Sequence, residues 1–358
     1  SQKKDTPERN TQQISPIESY MTSTNSLTFS RLSTMLERQP DAGTCAAEYK
    51  AVTRATPKEA PRTSRPGTLY WKPFGRELQY MSLPERIAMT VALYNPDVFA
   101  IADQHRLHRF PAHHPLAGRA DTQGLVLRPF EGTAKVAHRL GMWNAHPRVY
   151  EQLPDSTGSD GISIPGDVVE HLFCYVGDLL LFLRDQATGK PYVVNWTVKP
   201  TETAFSDPNF YRTDKRIRNE DGRRRARELR HQLEEEYFKD AGIRTVRVIT
   251  ERIPANVVNN LRRLICRAHD RHNLNAVQVT EMEQAFEELL AQRQTLLSEI
   301  ENLTTRFSCT LEDCHIVFHQ AIWNRRLRVS LHEPILLDQP LQPETTDVLQ
   351  QFRGWFKE

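Results

Sequence analysis

Three side chains far apart in the chain, Glu85, Asp178 and Lys199, have residue types and local settings suited to phosphodiester hydrolysis. Asp178 interrupts an apolar run between Tyr175 and Leu179–Phe182, where burying an unpaired charge is expensive. Lys199 closes the next apolar segment, YVVNWTVKP. If these segments are adjacent strands, a carboxylate and a lysine converge at one edge of a sheet. Carboxylates in that position can hold one or two Mg²⁺ ions, which polarise a phosphate and lower the pKa of bound water. A lysine beside them orients that water or stabilises the developing charge. Glu85 would contribute a further oxygen. The bland alternative is a salt bridge at the sheet edge, because an Asp and a Lys facing each other across a hairpin often arise by chance.

The elements needed to position these residues are legible in part. SLPERIAMTVALYNPDVFAIAD predicts a helix with Ser82 as N-cap, Pro84 in its first turn and Glu85 near its start. Asn95-Pro96 ends that helix, and DVFAIAD reads as a short strand. VEHLFCYVGDLLLFLRD predicts one strand rich in Val, Leu, Phe and Tyr. DQATGKP is turn chemistry, and YVVNWTVKP completes a hairpin. DGRRRARELRHQLEEEYFKDAG reads as an amphipathic helix closed by Gly242, and TVRVITERI as a buried strand. The order strand, strand, helix, strand predicts an α/β (α+β) fold.

Outside this region the pattern weakens. Residues 1–68 are rich in Ser, Thr, Pro, Gln and charge, apart from an apolar patch at Leu27–Leu36, and predict a largely disordered N-terminal arm. Order is expected from 69. The segment at about 105–168 reads as an insertion of short strands and loops. Its histidines, His105, His108, His113, His114, His138 and His146, lack helical metal-binding spacing and favour surface loops over a metal site. From 256 to 358 the pattern is helical, and LRVSLHEPILL after Asn324 reads as a strand, which together suggest a winged-helix-like C-terminal domain.

Composition narrows the classes. A net charge of +2 over 358 residues does not mark a nucleic-acid binder, so any DNA surface must come from local clustering. The five cysteines form no CxxC pair, which argues against a disulfide framework or a cysteine zinc site. No run approaches a membrane span and no signal peptide is visible, so the expected location is a reducing bacterial cytosol. Charge does cluster locally. Lys215, Arg216, Arg218, Arg223, Arg224, Arg225, Arg227 and Arg230 follow the hairpin directly, with their acids mostly further along the helix. Such a cluster can neutralise several phosphates; the alternative is a solvated helix face paired with Glu228, Glu234, Glu235 and Glu236. Arg325, Arg326 and Arg328, at the start of the expected wing, are a second candidate contact for DNA backbone or a partner.

Two stretches carry a family resemblance. SLPERIAMTVALYNPDVFAIADQ resembles the opening of TnsA-type endonucleases, in which a helix bearing a catalytic Glu leads into a Pro-Asp-Val turn, a strand and a Gln. GDLLLFLRDQATGKPYVVNWTVKP resembles their catalytic hairpin, a variant of the PD-(D/E)xK motif. LEDCHIVFHQAIWNRRLRVSLHEPILLDQPL is similar to their small C-terminal domain. The resemblance covers about 69–104 and 169–341. It implies a restriction-endonuclease-like catalytic domain over 69–255, with Glu85 and Asp178 as metal ligands, Lys199 as the motif lysine, and Asp103 and Gln104 as supports. It further implies Mg²⁺ (or Mn²⁺) as cofactor and double-stranded DNA at transposon ends as substrate. The implied partners are a TnsB-type transposase and a TnsC-type AAA+ ATPase, with no membrane. Gly177 stands where the motif has Pro. Thr197 stands where the family has Glu or Gln, and a hydroxyl is a poorer Mg²⁺ ligand than a carboxylate, although the neighbouring main-chain carbonyl can bind metal. Two alternatives follow: a restriction or defence nuclease of the same fold, and a catalytically weakened nuclease fold that bridges transposase and regulator.

Overall fold

Ser82 caps the helix that carries Glu85, accepting a hydrogen bond from the Glu85 amide, while Pro84 fixes the first turn and Asn95 ends it, as the sequence predicts. In the computed structural model, residues 27–40, 49–61, 64–157, 163–164, 166–206 and 220–358 are described. In chain order the first elements are α1 (Phe29–Arg38), the hairpin of β1 (Gly67–Trp71) and β2 (Arg76–Tyr80), α2 (Leu83–Tyr94) and β3 (Val98–Arg106). The insertion contains α3 (Thr133–Arg139), β4 (Arg148–Gln152), β5 (Ser156–Thr157), β6 (Ser163–Ile164) and β7 (Val168–Leu172). Next come β8 (Val176–Arg184), β9 (Pro191–Lys199), α4 (Glu220–Asp240) and β10 (Arg244–Ile249). The chain ends in α5 (Ala255–Arg267), α6 (Ala276–Ala291), α7 (Leu296–Phe307), α8 (Leu311–Trp323), α9 (Val348–Gln351) and α10 (Arg353–Phe356).

The central sheet has the order β10-β9-β8-β3. β8 and β9 form the predicted antiparallel hairpin, β3 is antiparallel to β8, and β10 lies parallel to β9. Period-2 alternation divides the strands between two faces. Leu179, Leu181, Leu183, Val194, Trp196 and Val198 join one large apolar cluster with α2 and the C-terminal helices. Leu180 and Val193 face the other way, onto Leu233, Tyr237 and Phe238 of α4. The result is a mixed sheet flanked by helices on both faces. The large cluster runs on from Val246 and Val248 through Leu261, Phe286 and Phe318 to Phe356, so the helices after residue 255 share a core with the sheet.

Two expectations need correction, while the apolar patch set apart within the arm over 1–68 is seen as α1. Leu32 and Met35 of α1 are buried with Val52, Val149 and Phe173 in a third apolar cluster, because the patch at Leu27–Leu36 is amphipathic enough to cover the insertion. The run from Val169 to Asp185 is two strands. Phe173 and Cys174 belong to that third cluster, so the chain leaves β4 at Leu172 and takes up β3 from Val176. The expected wing is not a strand either. Leu327, Val329 and Leu331 are apolar at a spacing of two and all buried, which is the strand-like signal, although Ser330 between them is buried as well. Their backbone, however, finds isolated bridges and the Asn260 amide, which donates to Leu331 O at 2.9 Å and Glu333 O at 2.7 Å. No strand occurs among the described residues after β10, so the C-terminal part is helical without a β-ribbon. No helix among the described residues is long and apolar enough to cross a membrane.

Candidate active site

Asp178 lies on β8 and Lys199 on β9, and the hairpin register brings them to one end of the sheet, with Leu179 opposite Trp196. The Asp178 carboxylate accepts the Val198 amide hydrogen at 2.7 Å, and Lys199 Nζ stands 3.6 Å from the same oxygen. Lys199 Nζ also donates to the Val198 carbonyl at 3.0 Å. These bonds hold both charges at the strand end, where each stays partly accessible.

Glu85 comes to this end from α2. It is 7% exposed. Its carboxylate accepts hydrogen bonds from the Met81 amide at 2.8 Å, Ser82 Oγ at 2.8 Å and Gln104 Nε2 at 2.9 Å. Burial, and after it the negative charge of Asp178, pushes its pKa up to about 7; Lys199 acts in the opposite direction. The three side chains predicted from the sequence therefore share one electrostatic neighbourhood. Gln104 reaches Glu85 from a left-handed backbone at φ 47, a conformation uncommon outside Gly and Asn and concentrated at functional sites. Asp103 supports the frame from further back: fully buried, it pairs with Arg76 at 2.6 Å and accepts the Gln79 amide hydrogen at 2.6 Å.

Gly177, which precedes Asp178, has a local reason. A Cβ there would lie 2.3 Å from His105 Nε2. His105 is buried against Phe238, and neither ring nitrogen has a hydrogen-bond partner among the described residues. Burial lowers its pKa to about 4.

Two further groups from α4 complete the surroundings, and sequence reading placed neither at the site. Glu234, counted there among the acids of a solvated face, is buried; its Oε1 accepts from Thr197 Oγ1 at 2.9 Å and from Asn195 Nδ2 at 2.9 Å. Burial and the charge of Asp178 both raise its pKa. His231 is buried beside Phe205, with Nε2 unpartnered among the described residues. Burial and the charges of Lys199, Arg230 and Arg247 drive its pKa down to about 3. Helical spacing held the signal: 231 and 234 share a face with the buried Leu233, Tyr237 and Phe238.

The basic clusters separate. Arg218 lies outside the described residues, and Arg223, Arg224 and Arg225 lie on α4 with side chains that are not described. Arg227 donates to Ala204 O at 3.3 Å. Arg230 is exposed and donates to Val176 O at 3.1 Å, and its charge reaches Glu234 and His231. Arg325 instead pairs with Asp347 at 2.6 Å and lies over Tyr94. Arg326 pairs with Glu283 at 2.6 Å, and Arg328 with Glu344 and Asp347. The C-terminal arginines are thus held by intramolecular carboxylates.

The donors at the strand end are carboxylate oxygens, which suit a hard cation. Among the described residues no group of three His, Cys, Asp or Glu side chains stands at a spacing for direct ligation of one ion. Two carboxylates are enough for Mg²⁺, which keeps several waters and takes its remaining ligands from substrate phosphates. The insertion histidines do not form such a group either; His146, for example, is hydrogen-bonded to Thr133 at 3.0 Å. No family model matches the chain, and no curated protein matches its sequence.

Proposed function

We propose that this chain is a metal-dependent DNA endonuclease of the restriction-enzyme-like class, one that cuts the 5′ ends of a transposable element alongside a TnsB-type transposase and a TnsC-type AAA+ regulator. The observation that carries the reading is the meeting of Glu85, Asp178 and Lys199 at one strand end, from a helix and a hairpin far apart in sequence.

Asp178 and Glu85 would hold the divalent cation, with the Thr197 main-chain carbonyl as a further candidate oxygen. A bound Mg²⁺ would polarise the scissile phosphate and make a bound water more acidic. Lys199, pinned by Val198 O and the Asp178 carboxylate, presents an ammonium where negative charge builds up as water attacks phosphorus. Gln104 and Ser82 hold the Glu85 carboxylate in place by hydrogen bonds. Arg230, exposed on α4 beside the site, supplies positive charge for a phosphate backbone. Mutual repulsion between Glu85 and Asp178 is the cost of this arrangement, and a cation between them relieves it.

Thr197 favours one other reading, a weakened nuclease fold kept as an assembly subunit. DNA cleavage by the assembled complex separates the two. Asp178→Ala and Lys199→Ala are each expected to lower cleavage at least 100-fold, with the assembly intact by gel filtration. Equal cleavage by wild type and both variants would sink the catalytic reading.

A further inference from the structure

Position 197 is where the hairpin lacks an acid, and the structure brings an acid to it from elsewhere. Glu234 of α4 is 4% exposed. Its hydrogen bonds come from neutral donors, Thr197 Oγ1 and Asn195 Nδ2, and both fall on Oε1. A buried carboxylate to which no cation among the described residues is bonded is a costly group to keep when an apolar side chain would fill the same space. The cost is raised again by the charge of Asp178, which acts on Glu234. One helical turn earlier, His231 is 7% exposed and its Nε2 has no partner among the described residues. It lies within reach of the charges of Lys199 and Asp178. One face of α4 therefore delivers an anion and an unsatisfied imidazole to the strand end already occupied by Asp178 and Lys199.

We propose that Glu234 is the third carboxylate of the cation site, supplied by α4 in place of a side chain at position 197. Thr197 and Asn195 are its positioning residues: they fix Oε1, and among the described residues no hydrogen bond falls on Oε2. The inference rests on the reading above, that this strand end holds a divalent cation. Because no three acids stand at direct-ligation spacing among the described residues, Glu234 acts through water carried by the ion. Mg²⁺ retains such water, and carboxylates one step out from a metal tune its affinity.

A purely mechanical tie between α4 and β9 is the competing role, and glutamine separates the two, since it keeps an acceptor oxygen for Thr197 and Asn195 but removes the charge. Mn²⁺ binding to the full chain, in the presence of a duplex oligonucleotide, is measured by titration calorimetry for wild type, Asp178→Asn, Glu234→Gln and the double variant Thr197→Glu/Glu234→Gln. Thermal melts confirm that each variant folds. Wild type is expected to bind and Asp178→Asn to lose binding. Glu234→Gln is expected to weaken binding about 10-fold, and the double variant to regain most of that loss. Wild-type affinity in Glu234→Gln, with binding lost in Asp178→Asn, overturns the role of Glu234 and leaves the endonuclease reading standing. A folded double variant that regains nothing overturns the replacement of position 197. Absence of Mn²⁺ binding by wild type overturns both.

Discussion

The two faces of the central sheet are built to different rules. On the face covered by α2 and α5–α8, Leu179, Leu181, Val194 and Trp196 are fully buried among apolar neighbours, and the cluster extends to the end of the chain. On the face covered by α4, apolar Leu180 and Val193 alternate with Asn195, Thr197, Glu234, His105 and His231, all of them buried. The first face lowers free energy by removing apolar surface from water. The second accepts buried polar groups that cost stability, and it does so only near the strand end where Asp178 and Lys199 meet. The contrast marks out this strand end without reference to any motif, because an apolar finish like that of the first face would be the more stable one.

Truncation tests the contrast most strongly. Trp196→Ala removes a fully buried indole whose Nε1 donates to Trp355 O at 2.7 Å, and is expected to cost about 3–5 kcal/mol of stability. Asn195→Ala, one residue away on the other face, is expected to cost about 1 kcal/mol. Urea denaturation of the two variants gives both numbers, and equal costs would break the comparison. Gly177→Ala sharpens it further. The added methyl meets the His105 ring, and about 2 kcal/mol of destabilisation is expected. Most of that loss should disappear in His105→Ala/Gly177→Ala, and a double-mutant cycle reads the coupling.

Buried histidines make the stability of the chain depend on pH, and His146 is the case that lies away from the proposed site. His146, buried beside Tyr175, has its pKa lowered to about 4 by burial. Between that value and its ordinary value of 6.5 the folded chain binds fewer protons there than the unfolded chain. Its contribution is therefore complete above pH 6.5 and is lost as pH falls towards 4, on the order of 2 kcal/mol. His146→Gln should flatten that part of the stability profile, as followed by denaturant melts across the range. A smaller effect separates the two arginine sets. Arg230→Ala should reduce the slope of log affinity for duplex DNA against log salt by about one. Arg326→Ala, whose guanidinium already pairs with Glu283, should leave the slope unchanged.

Sequence reading recovered what depends on local chemistry. The Ser82 cap, the Asn95-Pro96 stop and the hairpin flanking its turn are each set by a few neighbouring residues, and so is the end of α4 at Gly242, with φ 75. These account for Glu85, Asp178 and Lys199. What escaped depends on partners distant in the chain. The break between β7 and β8 exists because Phe173 and Cys174 pack with α1. The segment at Leu327–Leu331 makes a single antiparallel bridge, Val329 to Pro343, and then gives its Leu331 carbonyl to Asn260 where a strand would continue its ladder. Glu234 looked like one acid in a charged helix until the α4 register set it against Thr197. The burial that gives it significance is a property of the tertiary structure.

The central claim is that a divalent cation sits between Glu85 and Asp178 beside a scissile phosphate. A crystal structure of the chain bound to duplex DNA in Mn²⁺ tests it directly through anomalous scattering. An anomalous peak is expected in contact with Asp178 and a phosphate oxygen, on the side of Asp178 that faces Glu85. DNA bound elsewhere on the chain, with no peak at Asp178, would contradict it.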